Sequence, residues 1–285
     1  KLGSNSSCSV GAMAVFEVSE WSLIQVSFFC FTMGKEGNMS QQTNYIRYSV
    51  ITEKNPREIV MLRGSGCRFK RCRFCDYHLD SSKNEEENYE LNREVLKKVT
   101  GQYGSLEVIN SGSFLELDEK TMAEIETTCQ KKGIHTLRFE VHWMYRAHVE
   151  KWRRHFKELG ITLKIKMGVE TFDETFRKKV FDKGMEEATP EEIAKVADEV
   201  CLLFGIHGQT KESMSFDVET GLAYFERICI NIMVENTTEI HPDADVIRCF
   251  SKNIYPKNKD NVRGDILMEN TDFGVGGVEE GAREE

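Results

Sequence analysis

Glu58-Ile-Val-Met-Leu-Arg-Gly-Ser-Gly-Cys67-Arg-Phe-Lys-Arg-Cys72-Arg-Phe-Cys75 is the stretch on which the reading of this chain turns. The apolar run Glu58–Leu62 predicts a strand, and Arg63-Gly64-Ser65-Gly66 predicts a loop that leads into three cysteines within nine residues. A strand end that opens into a loop of thiols is where an α/β protein builds a site, because side chains there converge on an open cavity.

Working outward, strands and helices alternate from Arg47 onward. Candidate strands are Glu58–Leu62, Leu106–Asn110, Leu137–His142, Leu163–Glu170, Val200–Phe204 and Ile228–Glu235. Helices fall between them. Asp118 caps one that Gly133 stops, and Gly160 ends another begun near Tyr145. Thr171 with Glu174 reads as a capping box closed by Gly184, and Thr189-Pro190-Glu191-Glu192 opens a further helix. Such alternation gives an α/β fold with a parallel sheet. Six units fall short of a closed barrel, so the expected architecture is a partial (β/α)6 TIM-like barrel.

The strands also carry a polar parity. Arg138, Glu140 and His142 alternate with Leu137, Phe139 and Val141. Lys164, Lys166 and Glu170 alternate with apolar neighbours, as do Asn231 and Glu235. The apolar parity should pack beneath the helices and the polar one face the barrel interior. Unpaired charge is costly in a dry core, so that interior is expected to be wet or filled by a ligand. The other reading of this pattern is a solvent-facing antiparallel sheet, which the intervening helices oppose. Two apolar runs, Ile232–Val234 and Leu267–Met268, each end in Glu-Asn-Thr and would deliver a carboxylate and an amide to a loop.

Composition bounds the function. The 285 residues hold 38 Lys and Arg against 47 Asp and Glu, a net charge of −9, which argues against a stable nucleic-acid partner. Arg63, Arg68, Lys70, Arg71 and Arg73 nevertheless concentrate positive charge around the cysteines. Nine cysteines are an odd set, unlike a disulfide scaffold; Cys129, Cys201, Cys229 and Cys249 read as buried thiols, and a cytoplasmic location is the simpler expectation. Ala12 to Met33 is interrupted by Glu17 and Glu20, so no membrane span is read there. Residues 1–40 read as an extension, 41–277 as the core domain with its C-terminal substrate-site elements, and 278–285 as an acidic tail.

Two chemistries suit the cysteines. Cys67, Cys72 and Cys75 with His78 could make a zinc site that stabilises a binding module. A structural zinc site usually draws on two separated pairs of ligands, however, whereas this chain offers one compact group. Three thiolates without a fourth better suit a [4Fe–4S] cluster that keeps one iron open.

The motif Cys67-x4-Cys72-x2-Cys75 after the first barrel strand resembles the radical S-adenosylmethionine superfamily, whose usual spacing has three residues in the first gap. The resemblance continues through four loops, from Arg63 to about Asn236. It implies that S-adenosyl-L-methionine is a cofactor beside the cluster. Phe74 would pack on its adenine, and Ser111, Gly112 and Ser113 would hold its methionine amine. Glu170 would contact its ribose, and Ile206 and Gly208 in Gly205-Ile206-His207-Gly208-Gln209-Thr210 would lie beside the adenine. The implied activity is one-electron cleavage of this cofactor to a 5′-deoxyadenosyl radical, with an electron from a reductant such as flavodoxin or ferredoxin.

Met61–Cys67, Cys75–His78, Ile109–Phe114 and Met268–Gly274 together resemble the clostridial queuosine-salvage group of that superfamily, lyases that free queuine from queuosine 5′-phosphate. That resemblance implies a small phosphorylated nucleoside as substrate. Arg138, Lys164, Lys166 or the basic loop would then attract its phosphate, and Glu235, Glu269 and Asp272 would accept from the base and its aminocyclopentenediol. His142 is a candidate proton carrier. A radical enzyme that modifies tRNA is the alternative, which the acidic balance disfavours.

Overall fold

Strands whose apolar residues alternate with charges need helices on one side only, and the chain supplies them between strands. The structure, a computed structural model, describes residues 44–278; the extension read over 1–40 lies outside the described residues, as does the acidic tail beyond Val278. Eight strands stand side by side in chain order. They are β1 (Tyr48–Ile51), β2 (Arg57–Leu62), β3 (Ser105–Asn110), β4 (Thr136–Glu140), β5 (Thr162–Glu170), β6 (Glu199–Phe204), β7 (Arg227–Ile232) and β8 (Gly264–Leu267). β1 is antiparallel to β2 and every later neighbour is parallel. The partial TIM-like barrel expected from the sequence is the fold, a curled half-barrel of the six expected strands extended by β1 and β8.

The principal helices are α1 (Glu85–Leu96), α2 (Glu119–Lys132), α3 (Val149–Glu158), α4 (Glu174–Lys179), α5 (Pro190–Ala194), α6 (Lys211–Tyr224), α7 (Ala244–Asn253) and α8 (Tyr255–Asn258). Asp118 caps α2 through Thr121 N, and Gly133 ends it in the left-handed conformation. Thr189 and Glu192 form the capping box of α5. One expected cap moves. Asp173, not Thr171, accepts the first-turn N–H of α4, while the Thr171 hydroxyl bonds Asp217 in α6. Two strands stop earlier than expected, β4 at Glu140 and β7 at Ile232, so His142 and Glu235 lie in loops.

The register aligns Glu107, Arg138 and Lys164 in one row across the sheet, and Glu140, Lys166, Glu199 and Arg227 in the next. These side chains face inward, opposite the core of Val60, Leu106, Phe139 and Ile165 under the helices. The lower interior is not wet. Glu107, 1% exposed, bonds both Arg57 and Lys166, and Arg138 bonds Glu199 at 3.0 Å and the Ser105 hydroxyl. Asp265 bridges Arg227 at 3.0 Å to Arg57 at 3.5 Å. Burial would raise the Glu107 carboxyl, but Lys166 and Arg57 overcome it and hold its pKa at about 2.

Above this network stands Glu140, half-buried and without a hydrogen bond or ion pair among the described residues. Burial, aided by the charges of Glu107 and Glu170 and opposed by Lys166 and Lys183, lifts its pKa to about 7. The chain then returns from β8 to β1: Gly276 N donates to Ile46 O, Ile46 N donates to Gly277 O, and Tyr45 pairs with Val278. On the way Phe273 settles over Arg57 and Lys166, against Cys201, Cys229 and Leu267.

Two stability measurements follow from this division of the interior. Glu107→Ala strands two buried cations and should cost about 3–5 kcal/mol in urea unfolding, whereas Glu86→Ala at the exposed Lys120 pair should cost less than about 1 kcal/mol. Glu140 retains a proton in the folded chain between its ordinary pKa of 4.5 and about 7, so wild-type stability should fall as pH rises through that window. Glu140→Gln cannot ionise and should remove that fall. The variant should be more stable than wild type by on the order of 2 kcal/mol at pH 8 and by little at pH 5.

Candidate active site

The cysteine loop leaves the carboxyl end of β2 and is fixed from several sides. Asn92 of α1, fully buried, accepts from Arg63 N and donates to Arg63 O, each at 2.8 Å, which sets the direction of exit. Glu116 takes three donors: Arg68 N at 2.7 Å in the cysteine loop, Ser113 N at 2.7 Å after β3, and the Tyr145 hydroxyl at 2.9 Å. The far end of the loop is tied to the segment after β7, since Asn236 donates to Phe74 O and Asp76 accepts from Thr237.

These ties sort the basic residues. Arg63 turns away to Glu87 of α1 and is not part of the charge beside the thiols. Arg73 pairs with Glu239, and Arg71 lies over Phe69 with Asp182 at 3.5 Å. Arg68 and Lys70 are exposed and form no ion pair among the described residues. Lys183, absent from the sequence reading, is buried at the heart of the site. It bonds Glu170 at 2.7 Å and lies 5.3 Å from the centre of the Phe74 ring. Burial pushes the Cys75 thiol up to about 12 and raises Cys72, and Lys183 pulls both the other way. A metal that binds here must displace those protons, the usual coupling at thiolate sites.

The donor set fits a cluster better than a single ion. Among the described residues no three His, Cys, Asp or Glu side chains converge closely enough to hold one metal ion, as the zinc reading requires. In a cuboidal cluster each cysteine reaches a different iron, so the sulfurs stand wider apart. A ligand on the open corner also has a cradle. Asn110 Oδ1 and Ser111 Oγ, at the end of β3, are buried with no hydrogen-bond partner. Between these residues and Ser113, a Cβ on Gly112 would lie 2.1 Å from Glu116 Oε2 and 3.1 Å from the Cys67 backbone; only glycine lets the two loops approach so closely.

The remaining residues expected at the cofactor also gather here. Phe74 packs on the cluster of Phe181, Leu203, Ile206, Met233 and Ile240, so Phe74 and Ile206 share one apolar wall. The turn after β6 is held by Gln209, which accepts from Ile206 N and donates to Leu203 O, with Gly208 at φ 92°. His207 sits there 95% exposed against Asp243. Glu170 ends β5 at φ 68° beside a bulge, a strained conformation for a non-glycine residue at a site.

The residues expected at the substrate scatter. Arg138 and Lys166 belong to the buried network, and Lys164 lies near the amino end of β5 with Glu226 and Asp198; all three charges are already balanced. Glu235 is exposed against His241, Glu269 is exposed, and Asp272 accepts Met268 N and Glu269 N and so caps its own turn. The proton-carrier role expected of His142 finds no free ring nitrogen, for Nε2 donates to Lys183 O at 3.0 Å and Nδ1 accepts Met144 N. Its ring stacks on Phe69, and burial, with the charges of Lys183 and Arg71, lowers its pKa to about 4. These contacts tie the loop after β4 to Lys183 and to Phe69 of the cysteine loop.

Glu140 and Tyr77 were not singled out by sequence. The inward parity of β4 carried a signal for Glu140; Tyr77 had none beyond its place after Cys75.

No family model and no curated protein matches this chain. Among solved structures, the queuine lyase from Clostridium spiroforme bound to SAM and queuine is 42% identical, with a TM-score of 0.79, covering 82% of this chain and 100% of that one. SuiB from Streptococcus suis is 13% identical, with a TM-score of 0.46 over 74% of this chain and 49% of its own, a likeness too slight to bear an argument. With 42% identity across the whole of the lyase structure, this chain belongs to the queuine lyase family of radical S-adenosylmethionine enzymes.

Proposed function

We propose that the chain is a lyase that releases queuine from queuosine 5′-phosphate, a small phosphorylated nucleoside. The observation that carries this reading is the meeting of the three-cysteine loop with the unpartnered Asn110–Ser111 cradle, in a fold shared with a lyase solved with SAM and queuine. When bound, the [4Fe–4S] cluster and S-adenosylmethionine would supply one-electron radical chemistry for hydrogen abstraction from the substrate.

The protein holds, orients and shields. Cys67, Cys72 and Cys75 would ligate the cluster. Ser111, Gly112 and Ser113 would receive the methionine end of the cofactor, Phe74, Ile206 and Gly208 would flank its adenine, and Glu170, held by Lys183, would contact its ribose. The Phe74–Phe181–Ile206 wall keeps water from that face. Beneath it, the paired floor of Arg57, Glu107 and Lys166 leaves the upper interior for substrate. The exposed cations Arg68 and Lys70 beside the cluster ligands suit an acidic one-electron donor such as flavodoxin or ferredoxin.

Reduced, anaerobically reconstituted enzyme with S-adenosylmethionine and queuosine 5′-phosphate should yield queuine and 5′-deoxyadenosine in mass analysis; 5′-deoxyadenosine without queuine would reject the substrate. Cys67→Ala, Cys72→Ala and Cys75→Ala should each lose iron and more than about 99% of cofactor cleavage, about 2.7 kcal/mol or more in barrier terms. Cys129→Ala, on the buried face of α2, should retain both.

A further inference from the structure

Arg177, in α4, is a buried cation that belongs neither to the cofactor site nor to the ion network of the interior. It is 3% exposed, and among the described residues no carboxylate lies within ion-pair distance of it. Burying a guanidinium without a counter-ion is costly, so what its bonds hold in place is informative. Nη1 donates to Thr171 O at 3.3 Å, and Nη2 donates to Met185 O and Ala188 O at 3.0 Å each. Its own carbonyl accepts from Lys183 N at 3.3 Å, while Nε is buried with no partner.

Those bonds bracket the Glu170–Lys183 pair from both sides. Glu170 immediately precedes Thr171 and has φ 68°, a conformation that persists only where its surroundings over-determine it. Asp217 holds the same exit, accepting from the Thr171 hydroxyl at 2.8 Å and from Phe172 N at 2.6 Å. Lys183 stands on the loop whose carbonyls Arg177 grips, two residues after Phe181 of the apolar wall. Gly168 leaves room for the pair, since a Cβ there would fall 2.4 Å from Glu170 Oε1 and 3.0 Å from Lys183 Nζ. Lys183 bonds Glu170 through Oε1 at 2.7 Å, and Oε2 accepts no hydrogen bond among the described residues.

We infer that Arg177 is a positioning residue for the cofactor: it joins the exit of β5 to the lysine loop and so fixes the Glu170 carboxylate, with Oε2 free, for the ribose hydroxyls. The inference rests on the cofactor-site reading proposed above, in which Glu170 contacts the ribose, and deepens it. A guanidinium suits the task because its planar fork reaches three carbonyls at once, which a lysine ammonium cannot span.

The test separates this role from a general contribution to the core. Anaerobically reconstituted, unreduced holoenzyme is titrated calorimetrically with S-adenosylmethionine and with its analogue lacking the ribose 2′- and 3′-hydroxyls. The proteins are wild type, Arg177→Lys, Arg177→Met, Glu170→Ala and the double variant Arg177→Lys/Glu170→Ala. Wild type should prefer the natural cofactor by ten- to hundredfold, and each Arg177 variant should reduce that preference to less than about threefold. In the Glu170→Ala background, Arg177→Lys should alter affinity by less than about twofold, because both act through one contact. Iron content equal to wild type certifies that a variant is folded. Undiminished preference in an Arg177 variant that retains iron, or an equal loss of affinity for both ligands, would overturn the assignment and leave the ribose contact of Glu170 standing. Loss of iron from both Arg177 variants would also overturn it, making the residue one of the core alone. A wild type that binds both ligands equally would overturn the ribose contact and the assignment together.

Discussion

Glu107 divides the barrel interior in two. Buried between Arg57 and Lys166, it turns what would be three isolated charges into a paired floor. Burying an ion alone costs several kcal/mol, and only close opposite charge offsets that. Because Lys166 is engaged by Glu107 of the neighbouring row, it does not pair with Glu140, its partner in register, and Glu140 stands without a partner among the described residues. The lower half of the sheet is thus closed to ligands, and the upper half is held ready for one.

Glu116 plays the corresponding role at the mouth. A single carboxylate gathers the cysteine loop, the turn after β3 and Tyr145. That arrangement puts Gly112 against the backbone of Cys67, so the proposed cluster ligands and cofactor cradle come from two loops held by one side chain. Lys183 completes the set on the other side, where its charge answers Glu170 and opposes the burial of two thiols. The site is built from ends of strands, but it is made rigid by side chains from the intervening segments.

Much of this was legible in residues. The six parallel strands followed from runs such as Val200–Phe204, and the helix ends from Asp118, Gly133 and Thr189. The cysteine spacing pointed to the cofactor chemistry. The strands β1 and β8 escaped because each has only four residues, too short for a period to declare itself. Arg138, Lys164 and Lys166 were expected to be available for phosphate because a sequence gives charge without giving its counter-charge. Their charged partners lie from 34 to 62 positions away along the chain, as with Lys164 and its two partners Asp198 and Glu226.

By itself, then, the order of residues determined the alternation of elements, the inward parity of the charges and the grouping of three thiols in one loop after a strand. All are local properties, set by backbone periodicity and by the chemistry of single side chains. Which charges neutralise one another, which histidine has no nitrogen to spare, and which carboxylate is left facing a cavity were decided only by the tertiary fold. Electrostatic pairing depends on distances of a few ångströms between strands, and those distances exist only once the sheet has curled.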